Sequence, residues 1–467
     1  MERPREWLSR LAEYGQEHLL QHWDALTPAE QASLLADIES IDLKEVALLY
    51  EALAGRGSPE LPSDLRPPPA IRLHRESAAE RKRAVEAGRR ALAEGKVGMI
   101  LVAGGQGTRL GFPHPKGLFP IGPLSRRTLF QVLVDRLRAV RRRHGVSIPL
   151  WILTSPATDA ATRDYFRKHN YLGLPEEDVF FFCQGTMPAV DRATGKILLA
   201  ERHRVALSPN GHGGMLAALH ESGGLERAGE RGIEYFFYGQ VDNPLLPVCD
   251  ERMIGYHLEY SSELTSLAVA KRGPEERVGH FVERAGSVQI IEYSDFPEEL
   301  ASQTDGDGRL VYWAGSIAVH VMNRAFLQDA ADEAESLPYH AAWKKTPFVD
   351  ERGERVEPTE PNSVKFERFI FDLLPRAQRP LVIEVARDEA FAPVKNANGA
   401  ASDTPSTARS AMVNLHRRWL QQAGTHVADV PVEIHPLWAD GPEEVAARIE
   451  PGTVVERPTY FHTHCEE

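Results

Sequence analysis

Leu101–Pro120 reads LVAGGQGTRLGFPHPKGLFP, and the rest of the chain is best read outward from it. Gly104, Gly105, Gly107 and Gly111 sit among two cations, Arg109 and Lys116. The apolar run Val97–Ala103 leads in and predicts a buried strand. The segment from Thr128 to Val140 follows, apolar at Leu129, Val132, Leu133, Leu137 and Val140, and predicts a helix. Glycines let a backbone approach an anion closely and aim successive N–H groups at it. Arg and Lys add the charge that glycine lacks. The stretch therefore reads as a phosphate-binding loop after a sheet strand. A P-loop would end in Gly-Lys-Ser/Thr, whereas here Lys116 precedes Gly117. A dinucleotide fingerprint would put its third glycine one position before Gly111. The plainer alternative is a Gly-rich turn with two solvated cations.

The chain has 467 residues, 42% hydrophobic and 26% charged, which is the composition of a globular protein of about two or three domains. Its net charge of −13 excludes a general nucleic-acid binder, though a local basic pocket for a nucleotide is compatible with it. Cys183, Cys249 and Cys465 have neither metal-ligand nor redox spacing. The first residues are charged with no apolar signal core, and no apolar run reaches membrane-spanning length. These features predict a cytoplasmic protein with reduced thiols and no membrane partner.

Residues 1–95 predict a helical segment. Thr27 with Glu30, Asp42 with Glu45, and Ser77 with Glu80 are helix-start devices. Gly55–Pro69 is rich in Pro and Gly and reads as a linker. From Val97 strands alternate with helices. Pro149–Thr154, Val179–Cys183, Tyr235–Gly239 and Leu381–Ala386 are buried strands. Val278–Glu283 with Ser287–Tyr293 forms a hairpin, Leu310–Met322 a further strand region, and Phe366–Leu374 a helix. The expected fold is α/β: a mixed, mostly parallel Rossmann-like sheet flanked by helices. Residues 96–400 form the catalytic domain, and 401–467 a small C-terminal domain with a helix at Ala411–Ala423. In such sheets ligands bind beyond the carboxyl ends of strands, where Gly104–Lys116, Gln184 and Asp242 all fall.

Asp242 follows the apolar run in YFFYGQVDNP, residues 235–244. A carboxylate there suits a phosphate-bound Mg²⁺, which takes one or two carboxylates plus substrate oxygens. The alternative is an Asp capping the next turn. Gln184 offers a donor and an acceptor to a pyrimidine edge, or simply satisfies a loop. His462, His464 and Cys465 cluster near the end and read as a solvated tail.

GGQGTRLG followed by Pro115-Lys116-Gly117 resembles the signature of the UDP-sugar pyrophosphorylases, closest to the eukaryotic-type UDP-N-acetylglucosamine branch. The resemblance runs with gaps from about Val97 to Arg409. It implies a UTP-dependent uridylyltransferase that joins UTP to a hexose 1-phosphate, giving UDP-sugar and pyrophosphate. It also implies roles. Arg109, Lys116, Lys395 (in FAPVKNA) and Lys365 (in PNSVKFE) would neutralise phosphates. Gly104, Gly105, Gly107, Thr108, Gln184 and Gly213 would bind the nucleotide. Asp242 would hold Mg²⁺. Gly279 and Glu292 match sugar-holding positions. His212, in PNGHGG, and Ser316, in AGSI, stand where the acetylglucosamine enzymes carry Asn. Plain glucose or galactose 1-phosphate, or broad specificity, is therefore an open alternative, as is a non-catalytic nucleotide-sugar-binding regulator. Oligomeric state is not set by the sequence.

Overall fold

A computed structural model describes residues 5–54, 64–333 and 337–463. Residues 55–63 of the expected linker, and His464 and Cys465, lie outside the described residues. The chain forms two compact units, each discontinuous: Met1–Leu61 with Gln184–Leu216 and Glu335–Ile370, and Pro62–Cys183 with Ala217–Ala334 and Phe371–Glu467.

The first unit holds helices Arg5–Glu13, Pro28–Glu39 and Leu43–Ala54, the last two begun by local signals. Thr27 and Glu30 form a reciprocal capping box, and Asp42 Oδ1 accepts from the Glu45 N–H at 3.0 Å. Their apolar faces, including Leu11, Leu34, Ile38 and Val46, share one core with Val190, Ile197, Val364 and Phe366. Asp37 Oδ2 accepts from Arg204 Nε and Val205 N. Tyr339–Lys344, Ser363–Arg368 and Val190–Asp191 form a three-stranded antiparallel sheet. The helix expected over Phe366–Leu374 is corrected here: Ser363–Arg368 is a strand, and a 3₁₀ helix covers Ile370–Arg376. Val364 and Phe366 are buried while Lys365 and Glu367 are half-buried. This alternation is strand-like, and a short apolar run does not separate period 2 from period 3.6.

The second unit is organised by a ten-stranded sheet. Its strands are β1 (Ala70–Ile71), β2 (Val97–Val102), β3 (Leu150–Thr154), β4 (Val179–Cys183), β5 (Tyr235–Gln240), β6 (Leu264–Ala270), β7 (His280–Arg284), β8 (Ser287–Ile291), β9 (Ala314–Asn323) and β10 (Leu381–Glu384). The order is β1-β10-β6-β9-β5-β2-β3-β4, with the β7–β8 hairpin joined through β9. All neighbours along that order are parallel except β9, which runs antiparallel to β5 and β6. β2, β3 and β5 are almost wholly buried, as strands covered on both faces must be. The helix Ala78–Ala93 starts with the Ser77–Glu80 capping box. The helix Leu129–His144 starts with its counterpart, Thr128–Gln131.

Register decides what this sheet displays. β2 and β5 pair Leu101 with Gly239 and Val102 with Gln240. The loops after both strands therefore leave the same edge. Antiparallel β9 brings its first residues to that edge, since Ala314 pairs with Ala270 at the end of β6. His280 at the start of β7 pairs with Gly315. One edge of one sheet thus carries the glycine loop, Asp242, Gly279 and Ser316. No helix among the described residues is long and apolar enough to cross a membrane.

Candidate active site

The glycine loop folds back on itself. Gly107 N–H donates to the His114 carbonyl at 2.9 Å, and Lys116 N–H to the Gly105 carbonyl at 3.0 Å. A side chain at Gly107 would lie 2.7 Å from the Phe112 carbonyl oxygen, so only glycine closes this turn. Gly104 is buried, and its carbonyl accepts from Ser155 Oγ at 2.8 Å. Gly105 stays exposed, with only Lys116 Cε near the place a Cβ would take. Thr108 and Arg109 are exposed on the 3₁₀ turn Thr108–Leu110. Among the described residues Arg109 has no ion-pair partner.

Lys116 and Asp242, 126 positions apart, meet: Nζ lies 3.3 Å from Oδ2, with both side chains largely buried. The Val241 N–H donates to the Val102 carbonyl, which holds the Asp242 turn beside β2. Asn243 locks this turn. Its Nδ2 donates to the Ala390 carbonyl at 2.7 Å, and its Oδ1 accepts from Leu245 and Ala392 N–H. The Val394 N–H donates to the Asp242 carbonyl at 2.8 Å, placing Lys395 one residue beyond Asp242's backbone partner. The Lys395 N–H in turn donates to the Asp403 carbonyl at 2.7 Å. Burial holds the Asp403 carboxyl above its usual range, with Lys395 opposing. Sequence reasoning quoted Asn243 but assigned it no task. Its signal was an amide directly after the strand-end Asp.

Among the described residues no group of three or more His, Cys, Asp or Glu could cage a metal. A lone carboxylate beside a phosphate-type loop fits Mg²⁺ completed by substrate oxygens and water, not an all-protein site.

Towards the other end of this edge, the Ser316 N–H donates to the Gly279 carbonyl at 2.8 Å. A Cβ at Gly279 would lie 2.7 Å from Ile290 Cγ2 and 3.3 Å from Glu292 Oε1. The bare Gly279 thus leaves room for the Glu292 carboxylate to approach closely. β9 bulges between Ser316 and His320 relative to β6, and Ala318 adopts φ +53° there. Such bulges re-aim side chains. Sequence reasoning missed Lys271 and His280, which flank this junction. Lys271 Nζ contacts His280 Nε2, and the His280 ring stacks on Phe296 at 4.1 Å. Burial pushes the Lys271 amine down to about 8 and the His280 ring to about 3, the latter helped by the Lys271 charge.

The remaining candidates lie in the first unit. Gln184 is buried, and the Asn210 N–H donates to the Gly185 carbonyl at 3.1 Å. The Gly213 N–H donates to the Arg368 carbonyl at 2.7 Å, and a Cβ there would lie 2.6 Å from Arg368 C. His212 Nδ1 accepts from the Ile370 N–H at 3.3 Å, and its ring lies 5.3 Å from Phe369. Lys365 pairs with Ala342 on the central strand of the small sheet. This unit therefore gathers His212 and Gly213 against residues 368–370, just past Lys365.

The UTP–glucose-1-phosphate uridylyltransferase family model matches residues 63–429, and the chain belongs to that family. It is a nucleotidyltransferase of the UDP-sugar pyrophosphorylase class. Human UDP-N-acetylhexosamine pyrophosphorylase-like protein 1 is 38% identical over 446 residues, covering 92% of this chain and 87% of that one. Saccharomyces cerevisiae UDP-N-acetylglucosamine pyrophosphorylase is 36% identical over 442 residues, covering 90% and 92%. The solved Trypanosoma brucei UDP-N-acetylglucosamine pyrophosphorylase, an inhibitor complex, superposes with TM-score 0.83 at 28% identity over 99% of this chain and 98% of that one.

Proposed function

We propose that this protein joins UTP to N-acetylglucosamine 1-phosphate, releasing pyrophosphate. The observation that carries the reading is the Lys116–Asp242 pair at the carboxyl ends of adjacent parallel strands, directly after the glycine loop. A phosphate oxygen of the sugar 1-phosphate attacks the α-phosphorus of UTP. The bond from that phosphorus to the β-phosphate oxygen breaks, and pyrophosphate leaves with the electron pair. Such transfers depend on positioning and charge neutralisation. Arg109 and Lys116 serve the β- and γ-phosphates, Lys395 the nucleotide phosphates, and Lys365 the sugar phosphate. Asp242 is the residue that would hold Mg²⁺, which when bound neutralises phosphate charge. The backbone of Gly104 and Gly105 and the turn closed by Gly107, with Thr108, Gln184 and Gly213, hold the nucleotide, and Gln184 reads uracil. Gly279, Glu292, Ser316 and His212 contact the sugar. The attacking phosphate is already anionic, so no general base is needed. We assign three regions: a helical segment over 1–95, the catalytic domain over 96–400 and a small C-terminal domain over 401–467. A cytoplasmic setting follows from the nucleotide substrates.

The test is pyrophosphate release with UTP, Mg²⁺ and a panel of glucose, galactose, N-acetylglucosamine and N-acetylgalactosamine 1-phosphates. Preference for the N-acetylated pair is expected. His212 and Ser316, standing where the N-acetyl-selective branch has Asn, favour one second reading: a plain-hexose or broad-specificity enzyme. It would show as preference for the unacetylated pair. Binding of UDP-sugar with no turnover on any sugar would overturn catalysis.

A further inference from the structure

The helix Pro405–Gln422 is bonded to both cationic arms of the phosphate side. At its entrance the Asp403 carbonyl accepts from the Lys395 and Asn396 N–H groups, at 2.7 and 3.0 Å. Farther along, Arg409 Nη2 donates to the Pro120 carbonyl at 2.7 Å. Pro120 ends the glycine loop. One residue earlier, the Phe119 N–H donates to the Lys116 carbonyl at 2.9 Å, and the Phe119 carbonyl accepts from Leu129 N–H at 3.0 Å. One rigid helix thus ties the backbone of Lys395 to the loop that carries Lys116.

Arg409 is an expensive way to hold a carbonyl. It has no ion-pair partner among the described residues. Burial, and the charge of nearby Arg126, lower its pKa. A second anchor grips the turn just past Pro120. Buried Glu433 accepts from Leu124 N–H, Ser125 N–H and Ser125 Oγ–H, at 2.6, 2.7 and 2.6 Å. A Cβ at Gly122 would run into Ser125 Oγ and lie 2.8 Å from Arg127 N and 3.0 Å from Glu433 Oε1, so the turn packs too closely there for a side chain.

We propose that Arg409 is a positioning residue that sets the spacing of Lys116 and Lys395, with Glu433 as its partner anchor. The inference rests on the uridylyltransfer reading above. Misplacing a catalytic group by an ångström costs up to about a hundredfold in rate; with Glu433 still in place a smaller loss is expected.

The experiment compares Arg409→Gln, Arg409→Lys, Glu433→Gln, the Arg409→Gln/Glu433→Gln double variant and the control Arg417→Gln in the full chain. Arg417 lies on the same helix but bonds Asp429 and Val430. The readouts are kcat, KM for UTP, KM for the sugar 1-phosphate and melting temperature. R409Q should lower kcat by about tenfold and raise KM for UTP, with KM for the sugar 1-phosphate within about twofold of wild type. R409K, which keeps a donor for Pro120, should recover most of the loss, and R417Q should match wild type. The double variant should lose more than the product of the singles. Wild-type kinetics in R409Q, or equal shifts in both KM values shared by R417Q, would overturn the inference. If R409Q does not fold, E433Q decides by the same split between the two KM values. A wild type that releases no pyrophosphate overturns the uridylyltransfer reading itself, a result distinct from an active wild type matched by R409Q.

Discussion

The two ends of the large sheet's edge, proposed above as its phosphate side and its sugar side, are built in different ways. Around Lys116, Asp242 and Lys395, main-chain groups are cross-linked by main-chain and amide bonds: Val241 to Val102, Val394 to Asp242, Lys395 to Asp403, and Asn243 to residues 390–392. Around Gly279 and Ser316 the Ser316 N–H to Gly279 carbonyl bond and the His280–Gly315 pairing join the two strands, beside a bulge and the buried Lys271–His280 contact. The first construction places charges, which every sugar substrate requires in the same positions. In the second, under the proposed function, exchange of side chains would alter hydrogen bonding to the sugar without moving the phosphates. Discrimination by unpaired polar groups is strong, so under the proposed function specificity would be set on the sugar side.

The largest expected effect breaks the phosphate side. Asp242→Ala should lower Mg²⁺-dependent turnover by about 10³-fold, read as pyrophosphate release across a Mg²⁺ titration. Because removing one partner of a largely buried pair also destabilises the fold, Asp242→Asn, with melting measured alongside, separates chemistry from stability. Near-normal kcat in both variants would remove Asp242 from the site. Next, Gly279→Ala puts a methyl against Ile290 and Glu292. It should raise KM for the sugar 1-phosphate by about tenfold and leave KM for UTP nearly unchanged. Equal changes in both would dissolve the distinction between the two sides. A smaller effect comes from the His212→Asn/Ser316→Asn pair. It should shift the kcat/KM ratio towards the N-acetylated substrate several-fold; an unmoved ratio places specificity elsewhere.

The smallest effect concerns stability. His257 is held down to about 4, and His280, His416 and His435 to about 3, in each case first by burial. Their folded values lie below the ordinary 6.5, so between those values the unfolded chain binds more protons. Stability is full above about pH 6.5 and falls as pH drops towards 3. Melting temperature should decline from pH 7 to pH 4. His280→Phe, which keeps a ring on Phe296, should make the decline shallower. An identical slope would show that the sugar-side imidazole does not contribute.

Much of this was legible locally. The capping boxes at Thr27 and Ser77 act over three residues, and each starts the helix expected of it. The buried runs at Val97, Leu150, Val179 and Tyr235 became strands, as short continuous apolar runs rich in β-branched and aromatic residues favour. Phe366 was misread because its run is too short to reveal its period. Lys271 was passed over because a lysine after an apolar strand looks solvated until the fold sets His280 against it.

The sequence by itself determined the glycine loop, the sheet class and the identity of the charged residues, since backbone freedom, hydropathy period and charge are properties of neighbours along the chain. Only the tertiary structure decided that Lys116 meets Asp242, that Asn243 and Asp403 hold the turns beside them, and that Arg409 reaches Pro120 across 289 positions. Those pairings follow from strand register and helix packing, where each contact depends on many distant residues being in place at once, and no local pattern encodes them.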